Sequence, residues 1–292
     1  MRTFRYTVTP RYDGAKLQDF LKYAHRYSRR LIIELKKGGM AVNGAHRRMV
    51  DPVRTGDVVD IWFEDEGCTL VPNPDLAVPV LYEDEDLIVF DKPANMSVHP
   101  AADGVDDSLG NYFAYRYRNA ITFRPVSRLD KNTTGLCMSA KNTLSAALLI
   151  GSVDKEYLAV AEGLIPDEEG SIDIPIGRVE GSIILRKPDP DGQHALTRYR
   201  VLARTGGHTL LSIRLETGRT HQIRVHLASI GHPLLGDTVY GSKKPYPGLA
   251  GQCLHARRLI FRHPRTGERV ELECPLPDWF QGVLDKLERI SR

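Results

Sequence analysis

Arg128 and Asp130 stand two residues apart in RPVSRLDKNTTGLCMSAKN, residues 124–142. A carboxylate in such a place can act on a substrate as a base or nucleophile. In extended backbone the two side chains project from one face. After them Gly135 allows a bend, and Leu136, Met138 and Ala140 alternate into a core, so Asp130 would stand at the end of a buried strand, held and still reachable. The commoner use of Asp beside a Gly-containing turn is to bind nearby backbone amides. These residues alone leave both uses open.

A second group lies in ETGRTHQIRVHLASIGHPLLGD, residues 216–237. Ile223, Leu227 and Ile230 have helical spacing, Thr220 is placed to cap, and Gly231 stops the helix. Arg224 sits beside that apolar stripe, where a half-buried guanidinium meets a carboxylate, a phosphate or a core ion pair. His221 and His226 are five residues apart and face different ways on a helix, and no H-E-x-x-H spacing occurs, so no metal site is expected. The chain lacks G-x-G-x-x-G after a strand, G-K-[ST] and G-x-S-x-G. Dinucleotide, P-loop and serine-hydrolase chemistry lose their usual footholds.

These residues need a frame, and 292 residues with 41% hydrophobic and 26% charged side chains can build one. The net charge of +3 is uneven. Residues 1–60 carry 13 Lys and Arg against 6 Asp and Glu, leaving 27 against 31 for the rest. A basic head on a mildly acidic body suggests a polyanion-binding module. Within the head, KLQDFLKYAHRY has helical spacing, Ser28 can cap a second helix RRLIIELKK, Asn43-Gly44 marks a tight turn, and GDVVDIWF alternates like a strand. Arg29, Arg30, Lys36, Lys37, Arg47 and Arg48 cluster there, and several cations on one surface suit a nucleic-acid backbone.

Residues 64–79, acidic and then proline-rich, read as a linker, which makes 1–63 an RNA-binding module and 80–292 a second domain. In the second domain VLYEDEDLIVFDKP, GLCMSAKN, KEYLAVAEG, RYRVLART and HTLLSIRLETG look like strands and NTLSAALLIGS like a helix. The expected class is α+β, a mixed, mostly antiparallel sheet with flanking helices behind a small helix–helix–hairpin unit. Cys68, Cys137, Cys253 and Cys274 lie far apart without C-x-x-C pairing and are expected as reduced core thiols. No secretion signal or spanning segment is evident, so the expected location is cytoplasmic.

RLDKNTTGL resembles the central motif of the RluA-type pseudouridine synthases, and FDKPANMSVHP, KEYLAVAEG, ETGRTHQIRVHLASIGHPLLGD and CLHARRLIFRHPRTGE resemble further blocks of that family in order, over about residues 80–275. Residues 12–63, with SRR, VNG and GDVV in place, resemble the RNA-binding module named after ribosomal protein S-four. Ser127 stands where many members have His, and Asn95 where Gly is common.

The resemblance implies isomerisation of uridine to pseudouridine in RNA, with large-subunit ribosomal RNA the first expectation and neither cofactor nor metal required. It assigns Asp130 as the essential aspartate, Tyr157 as the ring that stacks on the base and serves late proton removal, and Arg224 as the basic partner of Asp130. Leu254 becomes an apolar wall of the pocket, and Arg128 helps open the helix. Asp130 would act on the sugar as nucleophile or on a ribose proton as base while uracil detaches, rotates and rejoins through carbon-5. The rival expectations are a non-catalytic RNA-binding or ribosome-assembly factor, and the same activity on transfer RNA.

Overall fold

The computed structural model describes residues 2–36, 39–64, 67–100 and 105–290. The head opens with β1 (Arg2–Thr7), a short 3-10 turn and α1 (Leu17–His25). Ser28 caps α2 (Arg29–Leu35), its hydroxyl accepting the Leu31 N–H. β2 (Met40–Val42) and β3 (Val58–Phe63) complete an antiparallel sheet in the order β1-β3-β2. Asn43 and Gly44 have φ of 51° and 78°, the left-handed pair that a tight turn after β2 requires. Phe4, Phe20, Leu31, Leu35 and Ile61 are buried together, and Leu144 from beyond the head joins them.

The remaining elements run β4 (Val80–Glu83), β5 (Leu87–Lys92), α3 (Leu109–Arg116), β6 (Arg124–Pro125), β7 (Thr134–Ala140) and α4 (Thr143–Leu149). They continue with β8 (Asp154–Glu162), β9 (Glu169–Asp173), β10 (Ile176–Arg178), β11 (Arg186–Pro188), β12 (Leu196–Thr205) and β13 (His208–Leu215). α5 (Gln222–Ser229), β14 (Leu254–Arg262), β15 (Arg269–Glu273) and α6 (Asp278–Ile290) close the chain. Ten strands form one sheet, ordered β4-β5-β7-β14-β8-β13-β12-β9, with β15 added to β14 and β6 to β7. β10 and β11 form a separate hairpin.

Every neighbouring pair in the large sheet is antiparallel except β7 and β14, which run parallel at Thr134–Gly135 and His255–Ala256. Both strands therefore start side by side at the middle of the sheet, where an antiparallel run is interrupted. Gly135 makes that junction possible. Its φ is 101°, and a Cβ there would lie 2.3 Å from the Ala256 carbonyl oxygen.

Both faces of the sheet are covered. Ile88, Phe90, Cys137, Tyr157 and Ala159 pack with α3 and α5. Leu136 and Met138 pack with Leu149 of α4, and Leu158 and Val160 with α6. β7 is consequently buried along its whole length, and the expected one-sided alternation is replaced by burial of both faces. The architecture is a mixed, antiparallel-dominated sheet with few helices. All four cysteines are buried and free. Among the described residues no helix is long and apolar enough to cross a membrane.

Candidate active site

Asp130 lies in the segment between β6 and β7, four residues ahead of β7 rather than at the end of a strand. Its backbone carbonyl accepts the Thr133 N–H at 3.1 Å, which folds the turn. Its carboxylate takes no part in that turn. Among the described residues the carboxylate's hydrogen bond is with Arg224, Nη1 to Oδ2 at 3.4 Å, and its side chain is 22% exposed. Of the two uses open to Asp130, backbone binding and presentation, this geometry favours presentation.

The turn is held from beneath by Lys92, which sequence reasoning missed. This side chain is wholly buried, and its ammonium donates to the carbonyls of Pro93 (2.8 Å), Met96 (2.8 Å) and Lys131 (3.1 Å). Burial pushes Lys92 down to about 8, against the opposing influence of Cys137, Asp130 and Asp91. The signal was the Lys-Pro pair after a strand, where a lysine ending an apolar run has no outward reason to be there.

α5 begins one residue later than the sequence suggests. Thr220 does not cap it; His221 occupies the N-cap position with φ of 57° and provides no side-chain cap. Gln222 instead braces the turn ahead of the helix, its Oε1 accepting from the Arg219 N–H and the Thr217 hydroxyl. This start aims Arg224 at the β7–β14 junction. The Arg224 guanidinium donates to Asp237 through Nε (2.7 Å) and Nη2 (2.9 Å), and lies 5.0 Å from the centre of the Tyr240 ring. Asp237 is fully buried and also accepts the Val239 and Tyr240 N–H groups. Burial alone would push Asp237 up, but the guanidinium and these amides hold it below the usual carboxylate range.

Tyr157 sits on the face of β8 that looks toward α5, paired across the sheet with Ile213 and Ala256. Its hydroxyl has no hydrogen-bond partner among the described residues. Burial, and then the charge of Asp130, pushes its pKa up, so the phenol keeps its proton. Leu254, buried at the start of β14, adds an apolar wall, while Arg128 is exposed at the rim. Ser127 is buried and its hydroxyl accepts the Met138 N–H at 3.5 Å.

Arg128, Asp130, Tyr157, Arg224 and Leu254 thus line one cleft of about 720 Å³, together with His99, Arg219 and His221. The five residues come from four separate segments. The head residues Arg29, Arg30, Lys36, Arg47 and Arg48 are exposed on the other unit and do not reach this cleft; Lys37 lies outside the described residues. Arg30 pairs with Glu34 and Arg48 with Asp51. The one cluster with metal-ligand types among the described residues, Asp84, Asp86 and His263, is occupied by protein donors: Arg265 grips Asp86 through two nitrogens, and His263 pairs with Asp84. A cation there would have to displace Arg265.

A cleft that sets a presented carboxylate opposite a guanidinium, beside a buried phenol and apolar walls, can seat a flat base and act on its sugar. Comparison with known proteins agrees. Residues 86–229 match the family model for RNA pseudouridylate synthase. The chain is 38% identical over 290 residues to ribosomal large subunit pseudouridine synthase D of Vibrio cholerae, covering 92% of this chain and 88% of that protein. It is 39% identical over 267 residues to the uncharacterized RNA pseudouridine synthase YlyB of Bacillus subtilis, covering 87% and 88%. The structure of human RNA pseudouridylate synthase domain containing 1 superposes with a TM-score of 0.57 at 28% identity, covering 71% of this chain and 87% of that one. With relatives of that identity along nearly its whole length, the chain belongs to the RNA pseudouridylate synthase family, in its RluA-type branch, and is an isomerase of uridine in RNA.

Proposed function

We propose that the chain isomerises a uridine of large-subunit ribosomal RNA, with Asp130 as the residue that acts on the substrate and residues 1–63 as an RNA-binding module of the kind found in ribosomal protein S-four. The single observation that carries the catalytic part is the Asp130 carboxylate, free of its own turn and facing Arg224 inside the cleft. The RNA part draws on the names of relatives such as the Vibrio cholerae enzyme.

In this reading the uracil is flipped out of its stack, at a cost of roughly a few kcal/mol, and rests on Tyr157 against Leu254. Arg128, exposed at the rim, faces the position vacated in the helix. The bond from carbon-1′ to N1 breaks, the base turns, and carbon-5 bonds to carbon-1′; carbon-5 then gives up its proton and N1 gains one. Asp130 serves as nucleophile or as base in the first step. Its charge is one cause of the raised Tyr157. If that charge is spent in the first step, the phenol becomes easier to ionise when the late proton is removed.

The head supplies phosphate contacts. Arg29 occupies the first turn of α2, an end where the helix dipole disfavours cations, and no acidic residue of that turn offsets it, while Arg30 beside it is paired with Glu34. Such a placement suits an external anion. Residues 64–79 join the head to the catalytic unit 80–292.

Asp130→Asn tests the catalytic assignment: isomerisation of cellular RNA should vanish, and undiminished isomerisation would remove Asp130 from the chemistry. Mapping pseudouridines across total RNA with and without this gene identifies the target. A missing position in large-subunit ribosomal RNA supports the substrate proposal, and one confined to transfer RNA overturns it.

A further inference from the structure

Tyr240 meets Arg224, Asp237, Arg186 and His221 behind the cleft. Its ring covers the face of the Arg224 guanidinium at 5.0 Å. Its backbone N–H donates to Asp237, the carboxylate that grips the same guanidinium by its edge. Its hydroxyl oxygen accepts the Arg186 N–H at 3.0 Å, and lies 2.8 Å from His221 Nδ1. A phenol proton donated to Nδ1 would leave His221 as the tautomer with its proton on Nε2. The two rings also meet edge to face, with centres 5.6 Å apart.

Arg186 belongs to the β10–β11 hairpin, whose turn is an ordered piece: its own guanidinium donates to the carbonyls of Ile183, Ile184 and Leu185. The hairpin therefore meets the cleft wall through this hydrogen bond to Tyr240 and through Ile176 of β10, which is buried against Val225 of α5. We propose that Tyr240 is a positioning residue for the isomerisation, holding Arg224 by its ring and, by its hydroxyl, locking His221 and the β10–β11 hairpin into one register with it. This rests on the reading of Arg224 as the partner of Asp130.

The arrangement has a titration signature. The charged or titratable groups facing His221 are Asp130, Arg224, Arg186, Asp237 and Tyr240. Burial lowers its pKa first; Asp130 and Asp237 oppose that, while Arg224 and Arg186 reinforce it. A phenol donating to Nδ1 adds to the preference for the neutral ring.

The discriminating variant is Tyr240→Phe, which keeps the ring over Arg224 and deletes both hydroxyl bonds. Single-turnover kinetics on a substrate RNA should show the rate of chemistry falling about 10- to 100-fold with RNA affinity within about twofold. The acid limb of the rate profile, and the His221 titration followed by NMR, should move to higher pH. Tyr240→Leu, which also removes the ring, should be slower again. An unchanged rate and unchanged His221 titration in Tyr240→Phe overturn the proposal. So does a rate loss matched by a fall in thermal stability with the titration unmoved, because that is a structural role only. Asp130→Asn separates the two readings: if that variant isomerises normally, the Arg224 assignment fails whatever Tyr240 does.

Discussion

Arg224 is bound more tightly to Asp237 than to Asp130: two hydrogen bonds of 2.7 and 2.9 Å tie it to the first, and one of 3.4 Å reaches the second. The buried carboxylate aims the guanidinium, leaving one nitrogen for the exposed one. Arg224→Met strands Asp237, which has no exposed side-chain surface, as an unpaired buried charge. The expected cost is about 3–5 kcal/mol of stability together with loss of turnover. Arg224→Met combined with Asp237→Leu should recover most of the stability in chemical denaturation and none of the turnover. Recovered activity in the double variant would show that neither residue serves the reaction.

Gly135 makes a sharper structural prediction. Gly135→Ala places a Cβ 2.3 Å from a backbone oxygen at a φ of 101°. Neither the β14 backbone nor the rotated peptide can yield without parting the two strands that flank the cleft. Urea unfolding should show a loss of about 2–4 kcal/mol, with reduced activity at temperatures where the variant is folded. A neutral outcome would mean that the parallel pair is not fixed as described.

Lys92→Met removes the buried charge under the Asp130 turn and leaves the Pro93, Met96 and Lys131 carbonyls short of donors. Burying such groups without partners costs roughly 1–3 kcal/mol each, softened where water enters. The Met96 N–H still reaches the Lys131 carbonyl at 3.2 Å, so the turn should loosen rather than unfold. The prediction is a fall in the rate of chemistry of about tenfold or more with RNA affinity preserved, measured in single turnover.

How legible this site was differs from residue to residue. Asp130, Tyr157 and Arg224, which share one cleft, could be singled out because short motifs mark them, and apolar spacing placed Arg224 beside a core. Asp237, Tyr240 and Lys92 were missed because their meaning lies in distant partners: Asp237 is thirteen residues from Arg224, and Lys92 acts on a turn 39 residues away. The cap expected at Thr220 gave way to His221, where the backbone turns left-handed at a φ of 57°, a conformation that local preference does not announce. β5, β8, β12 and β13 lie in segments that read as strands, whereas the parallel contact between β7 and β14 joins residues 121 apart and left no periodic trace.

Acid should destabilise the fold in two stages. Burial lowers His25 to about 4 from 6.5, and also lowers His99, His221, His226 and His255. A base with a lowered folded pKa is neutral in the fold and takes a proton more readily once unfolded, so stability is lost as pH falls from 6.5 toward 4. Glu83 follows in a lower window. Burial would raise it, but Lys141, Tyr117 and Arg116 bring it down to about 2, so its stabilisation is lost as pH falls from 4.5 toward 2. Calorimetry should show Tm dropping by roughly 3–6 °C between about pH 6.5 and 4.5, then more steeply. A flat Tm over the first interval would mean these histidines are solvated.

Testing the head calls for charge removal, not truncation. Leu144 of α4 is buried in the head core, and Arg265 donates to the Thr3 carbonyl and covers the Phe4 ring at 4.4 Å. Deleting residues 1–63 would expose Leu144 and strip Arg265 of those partners, so weakened RNA binding could reflect damage to the body. Arg29→Ala with Arg47→Ala leaves that seam intact, and neither side chain has an ion-pair partner among the described residues. If both meet phosphates, the logarithm of the binding constant should depend less steeply on the logarithm of salt, by about 0.7–0.9 for each phosphate no longer neutralised. Affinity should fall at low salt and converge with that of the parent protein at high salt. Chemistry on fully bound RNA should be unchanged, because the cleft is built from other segments. An unaltered salt slope would assign the basic face to something other than RNA, most simply to solvent.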